Sequence, residues 1–473
     1  MGHRSGESRQ QAALFPVMLD ELVGADAMVR VVDAWVGSLN VGALGFAKAQ
    51  PQKMGTPPYD PADLLRLYIW GYLNAVRSSR SLERECNRNV ECMWLLGRLA
   101  PDHKTIAEFR RTNVEALVAV CAAFVQFARA QRLVGGSTVA VDGSKVRAVA
   151  SRKALVSRRE LVAQAQRNAQ EIEHYLKLLD VHDSQEAVHR QASAGVQQAL
   201  QRLERDKRSI QAELQQLMPG QSMLVKTEPQ AQSMHGLHGA PGYNLQTAVE
   251  TSSHLIVAHE VTSDANDSQQ LAPMAQAASE ALQGQCTVVA DAGYANGEQI
   301  AQLEAQGITS YVAENRAMNN QAGGSLYDRS AFSYDQAADR FVCPAGKTLK
   351  RKQLSRKDKM IVYVADAQDC AACAHKGRCT EAAQRFVTRH LYENALQANA
   401  ARLARWPEAM AVRRQTVEHP FDSIKHRILG NARLLMRGMA GAQAELSIAV
   451  LVYNLKRVFN MKGAAWMHQA VRA

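Results

Sequence analysis

At Gly135-Gly136 the 473-residue chain changes its repeat. Upstream of that point apolar residues recur every three or four positions, the period of a helix. Downstream they come in short β-branched runs closed by turn residues, the mark of strands. Five runs read as strands: 137–143 (STVAVDG), 242–249 (GYNLQTAV), 255–261 (LIVAHEV), 286–290 (CTVVA) and 308–313 (ITSYVA). A helical stretch, 268–282, separates the third from the fourth, and a short helix separates the last two. Three strands able to pair, followed by alternating helix and strand, predict an α/β fold: a mixed five-stranded sheet with helices on both faces.

That element order is the order of the ribonuclease-H-like fold. The sequence divides around it. Residues 1–134 read as an all-α N-terminal domain. There Asp60-Pro61 caps one amphipathic segment, Ser81 opens a second, and 102–131 forms at least one more helix. Residues 135–473 carry the sheet, interrupted twice. The insertion 153–220 is rich in Gln, Ala, Leu, Glu, Lys and Arg and reads as an antiparallel helical hairpin broken between Val181 and Ser193. The insertion 315–400 contains a cysteine cluster.

Composition narrows the function classes. A 47% hydrophobic and 21% charged chain is globular, neither disordered nor fibrous. No run of about 18 apolar residues predicts a membrane span. The opening MGHRSGESRQQ lacks the apolar run of a signal peptide, so a cytoplasmic protein is expected. A net charge of +11 points to an anionic partner, with nucleic acid foremost. Residues 381–473 hold 14 Lys and Arg against 6 Asp and Glu, so the excess concentrates at the C-terminal end. Arg77, Arg80, Arg84, Arg88, Arg110 and Arg111 put further basic faces on the N-terminal helices, either as solvated surface or as phosphate contacts.

Two aspartates follow apolar strands directly, Asp142 in VAVDGS and Asp291 in VVADAGY. Each alone is compatible with a turn-forming Asp. On neighbouring strands they become a candidate metal pair, because hard divalent ions take carboxylate oxygens and open sheets gather such groups at the carboxyl ends of strands. A third acid is then needed. In the helical segment RRQTVEHPFDSIKHR, Arg414, Glu418 and Lys425 are spaced four and seven residues apart and share one face of a regular helix. Either they form surface ion pairs, or Glu418 completes the acids while Arg414 and Lys425 hold DNA phosphates.

The motifs VDGS, GYNLQTAVE, ADAGY and RRQTVEHPFDSIKHR together resemble a bacterial insertion-sequence transposase of the DDE type, in the ribonuclease-H-like superfamily. The last resembles the Y-R-E-K signature of one branch: Arg, three residues, Glu, six residues, Lys. The signature's Tyr would fall at Ala411, so no role for it carries over. The resemblance extends to PPYDPADLL through DHKTIAEFRR and to the closing AELSIAVLVYNLKRV. It implies a catalytic triad of Asp142, Asp291 and Glu418 binding two Mg²⁺ ions, with Mn²⁺ as a substitute. It implies binding to the element's terminal inverted repeats, strand cleavage, and transfer of the freed 3′-hydroxyl to target DNA. It also implies at least a homodimer on DNA, since two ends must be paired. Asn244 and Gln246 lie in a matching motif, Gln246 as an active-site neighbour by its strand position, or both as ordinary outward-facing polar residues. The other functions left open are a ribonuclease-H-like DNA nuclease and a DNA-binding regulator derived from a transposase.

Cys343, Cys370, Cys373 and Cys379 have the ligand count of a structural Zn²⁺ site, with His375 as a substitute ligand. The other reading is four reduced thiols packed in a small β subdomain. Similar transposases carry this cysteine pattern. The loop GKTLKRKQLSRKDK within the same insertion is a solvated loop or a phosphate contact. Cys86, Cys92, Cys121 and Cys286 sit in apolar surroundings and read as small core residues.

Overall fold

The computed structural model describes residues 18–50, 57–183, 190–217, 221–314, 326–357 and 359–472. Six helices come first: α1 (Met28–Gly37), α2 (Pro61–Leu73), α3 (Ser79–Cys86), α4 (Val90–Leu95), α5 (His103–Thr112) and α6 (Val114–Ala130). Pro61 occupies the first turn of α2 and the Asp60 carboxylate accepts from the Ala62 N–H, as the capping signal predicts. The segment opened at Ser81, read as one helix, is split, and 102–131, read as at least one, forms two. Asn89 caps α4 afresh after α3 ends, and α5 meets α6 at a 72° bend around Asn113. In both places an Asn side chain offers the backbone an alternative hydrogen bond, which competes with helix continuation. No single helix among the described residues is long and apolar enough to cross a membrane.

The central sheet takes β1 (Thr138–Arg147), and the chain then leaves it through β2 (Leu155–Ser157), the two long helices α7 (Arg158–Asp183) and α8 (Arg190–Gln215), and β3 (Met223–Val225). β2 and β3 clamp the base of the helical pair, over a small core of Val156, Leu161, Leu217 and Leu224. Of the expected break between Val181 and Ser193, residues 184–189 lie outside the described residues, as do residues 1–17, on which the cytoplasmic expectation rests.

The chain returns as β4 (Gln232–Met234), β5 (Ala240–Glu250), β6 (Ile256–Thr262), α9 (Leu271–Leu282), β7 (Thr287–Ala290), α10 (Gly297–Ala305) and β8 (Thr309–Val312). β1 pairs antiparallel with β5 and parallel with β7, β7 pairs parallel with β8, and β6 flanks β5. This is the expected mixed five-stranded ribonuclease-H-like sheet. The short β4 adds a sixth strand beside β5, which the sequence did not announce. Side chains alternate across it. Val139, Val141, Val288 and Ala290 pack under α9 and α10, while Ala140 and Val289 face the opposite layer.

The cysteine-containing segment builds its own antiparallel sheet: β9 (Ser333–Asp335), β10 (Arg340–Val342), β11 (Thr348–Ser355), β12 (Met360–Ala365), the short helices α11 (Ala367–Ala371) and α12 (Lys376–Cys379), and β13 (Phe386–His390). The basic stretch expected as a loop is for the most part β11. It pairs with β12 across a bulge between Arg351 and Gln353, and its run from Lys350 to Leu354 is exposed. Alternating Thr, Leu and Gln among the lysines supplies the strand signal that the charge run obscured.

The chain closes with α13 (Glu393–Arg405), α14 (Ala409–Asp422) and α15 (Gly438–Arg472), the last kinked at Gly463. α15 runs buried through the middle of the protein. Its Leu446, Ile448, Leu451 and Leu455 share one core with Trp35, Tyr68, Phe124 and the sheet residue Leu245. The N-terminal helices are therefore joined to the sheet by a common core. Two of the six arginines expected on basic faces point inward. Arg77 lies 3.3 Å from the fully buried Glu445 of α15, and Arg110 bonds the Tyr72 hydroxyl. Arg80, Arg84, Arg88 and Arg111 are exposed.

Candidate active site

Asp142 lies within β1 and not at its end. The strand continues through Gly143 to Arg147, so the turn-forming reading of VDGS does not hold. Gly143 is required by what lies above it. A Cβ there would stand 2.3 Å from Gln246 Nε2 and 2.6 Å from Asp267 Oδ1. Asp291 ends β7 and caps a single 3₁₀ turn, Ala292–Tyr294, its Oδ1 accepting the Gly293 N–H at 2.8 Å. That bond leaves Oδ2 free to face a partner. By the alternation of their strands both aspartates project to the layer that holds α14.

From α14, Arg413 reaches both. Its Nη2 is 2.7 Å from Asp142 Oδ1 and 3.1 Å from Asp291 Oδ2. The Arg413 side chain is only 14% exposed, and its Nε is buried without a partner. Burial pushes the Asp142 carboxyl up to about 6, against the opposing pull of Arg413 and of the Gly143 N–H. Since 6 lies above the ordinary 3.8, the folded protein holds an extra proton between those values. This group therefore favours folding below that window and loses the contribution as pH rises through 6.

Behind Gly143, on the opposite face of the sheet, lies a second polar cluster. Asp267 Oδ1 receives Lys145 Nζ at 2.8 Å, Asn244 Nδ2 at 2.7 Å and Gln246 Nε2 at 2.6 Å. Tyr294, the last residue of ADAGY, donates its hydroxyl to Gln246 Oε1. Asn244 and Gln246 are fully buried, so neither faces out of the strand as an ordinary polar residue. The cluster fixes β1, β5 and the turn after β7 relative to one another at the level of the two aspartates.

The α14 residues divide. Pro420 inside the helix removes the N–H that would bond the Thr416 carbonyl. The helix then continues as a π-turn, Ser423–Ile428. Lys425 sits on this turn, half-buried, where burial lowers its pKa and the Asp142 charge raises it. Arg414 and Glu418 are exposed, and Glu418 makes no hydrogen bond or ion pair with any described residue. The three do not share one face of a regular helix, because the i→i+5 bonding of the π-turn shifts the phase before Lys425 is reached.

The structure thus brings together Asp142, Asp291, Arg413 and Lys425, and leaves Glu418 outside their contacts. Among the described residues no three His, Cys, Asp or Glu side chains are arranged to hold a metal ion. The donor chemistry of the pair nevertheless fits one. Two carboxylate oxygens converge on a single cationic nitrogen, and hard oxygens around a point of positive charge suit Mg²⁺ or Mn²⁺. Sequence reasoning missed Arg413, Asp267 and Lys145. The doubled Arg413-Arg414 was the available signal for the first, and the lysine two residues past VDG was a signal for the last.

Cys343, Cys370, Cys373 and Cys379 line one cavity of about 30 Å³ together with Asp369 and Arg385. Burial pushes the Cys379 thiol up. His375 is not among the residues lining that cavity, and its Nδ1 lies 3.1 Å from the Tyr327 hydroxyl. Cys86, Cys92, Cys121 and Cys286 are buried free thiols, as expected.

A ribonuclease-H-like sheet with two carboxylates on adjacent strands, aimed at one cation, defines a class: enzymes that transfer phosphoryl groups with the help of divalent metal. Residues 206–455, more than half of the chain, match the family model "Transposase DDE domain", and residues 17–112 match "Transposase domain (DUF772)". The chain belongs to the DDE transposase family. It is a metal-dependent phosphoryltransferase acting on DNA. Asp291 and Glu418 fall inside the larger match and Asp142 precedes it, so Asp142 stands on its pairing with Asp291. No curated protein matches the chain. Among solved structures it is similar to piggyBac transposase in a synaptic complex with hairpin DNA, at 7% identity and a TM-score of 0.31, over 94% of this chain and 76% of that one. At that distance the likeness bears on no residue.

Proposed function

We propose that the protein is the transposase of an insertion sequence, with Asp142, Asp291 and Glu418 as its catalytic acids. The observation that carries this reading is the convergence of Asp142 and Asp291 on one cationic nitrogen at the heart of a DDE-family sheet. The Gly143 and Gly293 N–H groups orient the two carboxylates, each bonding one oxygen. Glu418 lies five residues beyond Arg413, about 7.5 Å along the helix. Along the helix axis it stands between Arg413 and Lys425, but roughly 140° round from Arg413, so its exposed carboxylate would have to turn toward the pair to serve as the third ligand. Asp142, Asp291 and Glu418 would hold the divalent ions, which would supply activation of the attacking hydroxyl and charge neutralisation at the leaving oxygen. The nucleophile is water in the nicking step and the freed 3′-hydroxyl in the transfer step.

Arg414 and Lys425 hold the phosphates that flank the scissile bond, in keeping with the Arg-Glu-Lys spacing of the Y-R-E-K branch. Residues 1–134 contribute to binding the terminal inverted repeats, through the exposed Arg80, Arg84, Arg88 and Arg111. Two copies act on paired ends, in the bacterial cytoplasm. Arg414→Ala or Lys425→Ala is expected to weaken binding to end-containing DNA and to reduce the slope of log affinity against log salt by about one, as one phosphate contact is lost. A fluorescence-anisotropy salt titration reads this. An unchanged slope in both variants would return the two residues to ordinary surface.

The four clustered thiols supply the donor set of a structural zinc site, though they do not stand in a ligating arrangement. The expected result is one zinc per chain in protein purified without chelator, with four thiols titrating only after the metal is removed. Four freely titrating thiols and no zinc in that preparation would show a metal-free subdomain.

A further inference from the structure

Arg413 is the element of the site that the catalytic reading does not use. A single nitrogen, Nη2, lies within hydrogen-bond distance of both carboxylates. It therefore sits at the point on which their oxygens converge, where a divalent cation coordinated by both would have to be. A Mg²⁺ ion demands oxygens at about 2.0–2.1 Å, closer than any guanidinium approaches. The two cations cannot share that place. Arg413 is also imperfectly satisfied where it is, because its Nε is buried with no partner. Its side chain keeps 14% of its surface exposed, so one edge already meets solvent.

We propose that Arg413 is a placeholder for the divalent ion. It neutralises Asp142 and Asp291 while the metal is absent, which lets two carboxylates stay close together in a part-buried position. The arriving ion displaces it. The freed guanidinium then becomes available, with Lys425, to a DNA phosphate beside the carboxylates, so that loading the site adds a cation to the phosphate-binding surface. This rests on the reading that Asp142 and Asp291 ligate the metal, and the test separates the two claims.

The test is isothermal titration of the full chain with Mn²⁺ alone, at fixed pH and without DNA, for wild type, Arg413→Gln, Arg413→Lys, Asp142→Asn and the Asp142→Asn/Arg413→Gln pair. Removing the competing charge is expected to tighten Mn²⁺ binding by about tenfold or more in Arg413→Gln. Arg413→Lys, which keeps one charge but on a shorter, more strongly hydrated ammonium that suits the part-buried position less well, falls between it and wild type. Thermal melts give a second readout: without metal Arg413→Gln melts below wild type, and saturating Mn²⁺ closes the gap. If Arg413→Gln does not fold, the lysine variant alone decides, since a placeholder predicts tighter binding there as well. Equal or weaker Mn²⁺ binding in the Arg413 variants, with binding lost in Asp142→Asn, overturns the placeholder and leaves the metal site standing. Undiminished binding in Asp142→Asn overturns the metal-site reading itself.

Discussion

Asp142→Asn is expected to lose DNA strand cleavage by at least about 10³-fold while still folding and still binding DNA, because one ligand oxygen loses its charge at a centre whose chemistry is electrostatic. Fold retention follows from the local contacts. The asparagine carbonyl can still accept from the Gly143 N–H and from Arg413, which the Asp142 Oδ1 now does at 2.8 and 2.7 Å. It also removes a carboxylate whose burial already pushes it up to about 6. Asp291→Asn and Glu418→Gln are expected to behave alike in a gel assay of end-containing DNA with Mg²⁺. If Glu418→Gln cut as well as wild type, the third acid would have to be sought elsewhere in the chain.

The largest effect on stability is expected at Glu445, far from the chemistry. Glu445 is fully buried on α15, lies 3.3 Å from Arg77 and 4.0 Å from Arg110, and accepts the Leu435 N–H at 2.7 Å. Glu445→Ala leaves two arginines buried without their anion, and removing one member of a buried ionic cluster costs about 3–5 kcal/mol. Denaturant unfolding reads the difference. Arg77 also donates to the Arg433 carbonyl, so the same cluster ties the N-terminal helices to the segment that follows the π-turn. A loss below about 1 kcal/mol would mean that the cluster relaxes to admit water and that α15 is held by its apolar face alone.

The strand order was readable because each strand is a short apolar run with a turn on either side, and β1, β5, β6, β7 and β8 appear where those runs lie. The pairing of Asp142 with Asp291 was readable for the same reason, as each follows an apolar run and the two runs had to be neighbours, although β1 continues beyond Asp142. What escaped notice depends on contacts between distant segments. Asp267 stands in a loop before α9 with no local pattern to distinguish it, and its partners Lys145, Asn244 and Gln246 come from β1 and β5. Arg77 and Arg110 look like any helix-surface arginine until Glu445 is brought to them from more than 300 residues away. The helical-face argument for Arg414, Glu418 and Lys425 assumed 3.6 residues per turn throughout. The π-turn at Ser423–Ile428 breaks that assumption, and Arg413, one residue off the expected face, is the arginine that meets the carboxylates.

The central claim is that Asp142 and Asp291 jointly hold the divalent ion that cuts DNA. Its most direct test is an anomalous difference map of the protein crystallised with Mn²⁺ and end-containing DNA. The account predicts an anomalous peak bonded to carboxylate oxygens of both Asp142 and Asp291, at roughly 2.0–2.3 Å. Manganese bound elsewhere on the chain, with the pair still closed on Arg413 and the scissile phosphate distant from it, would contradict it.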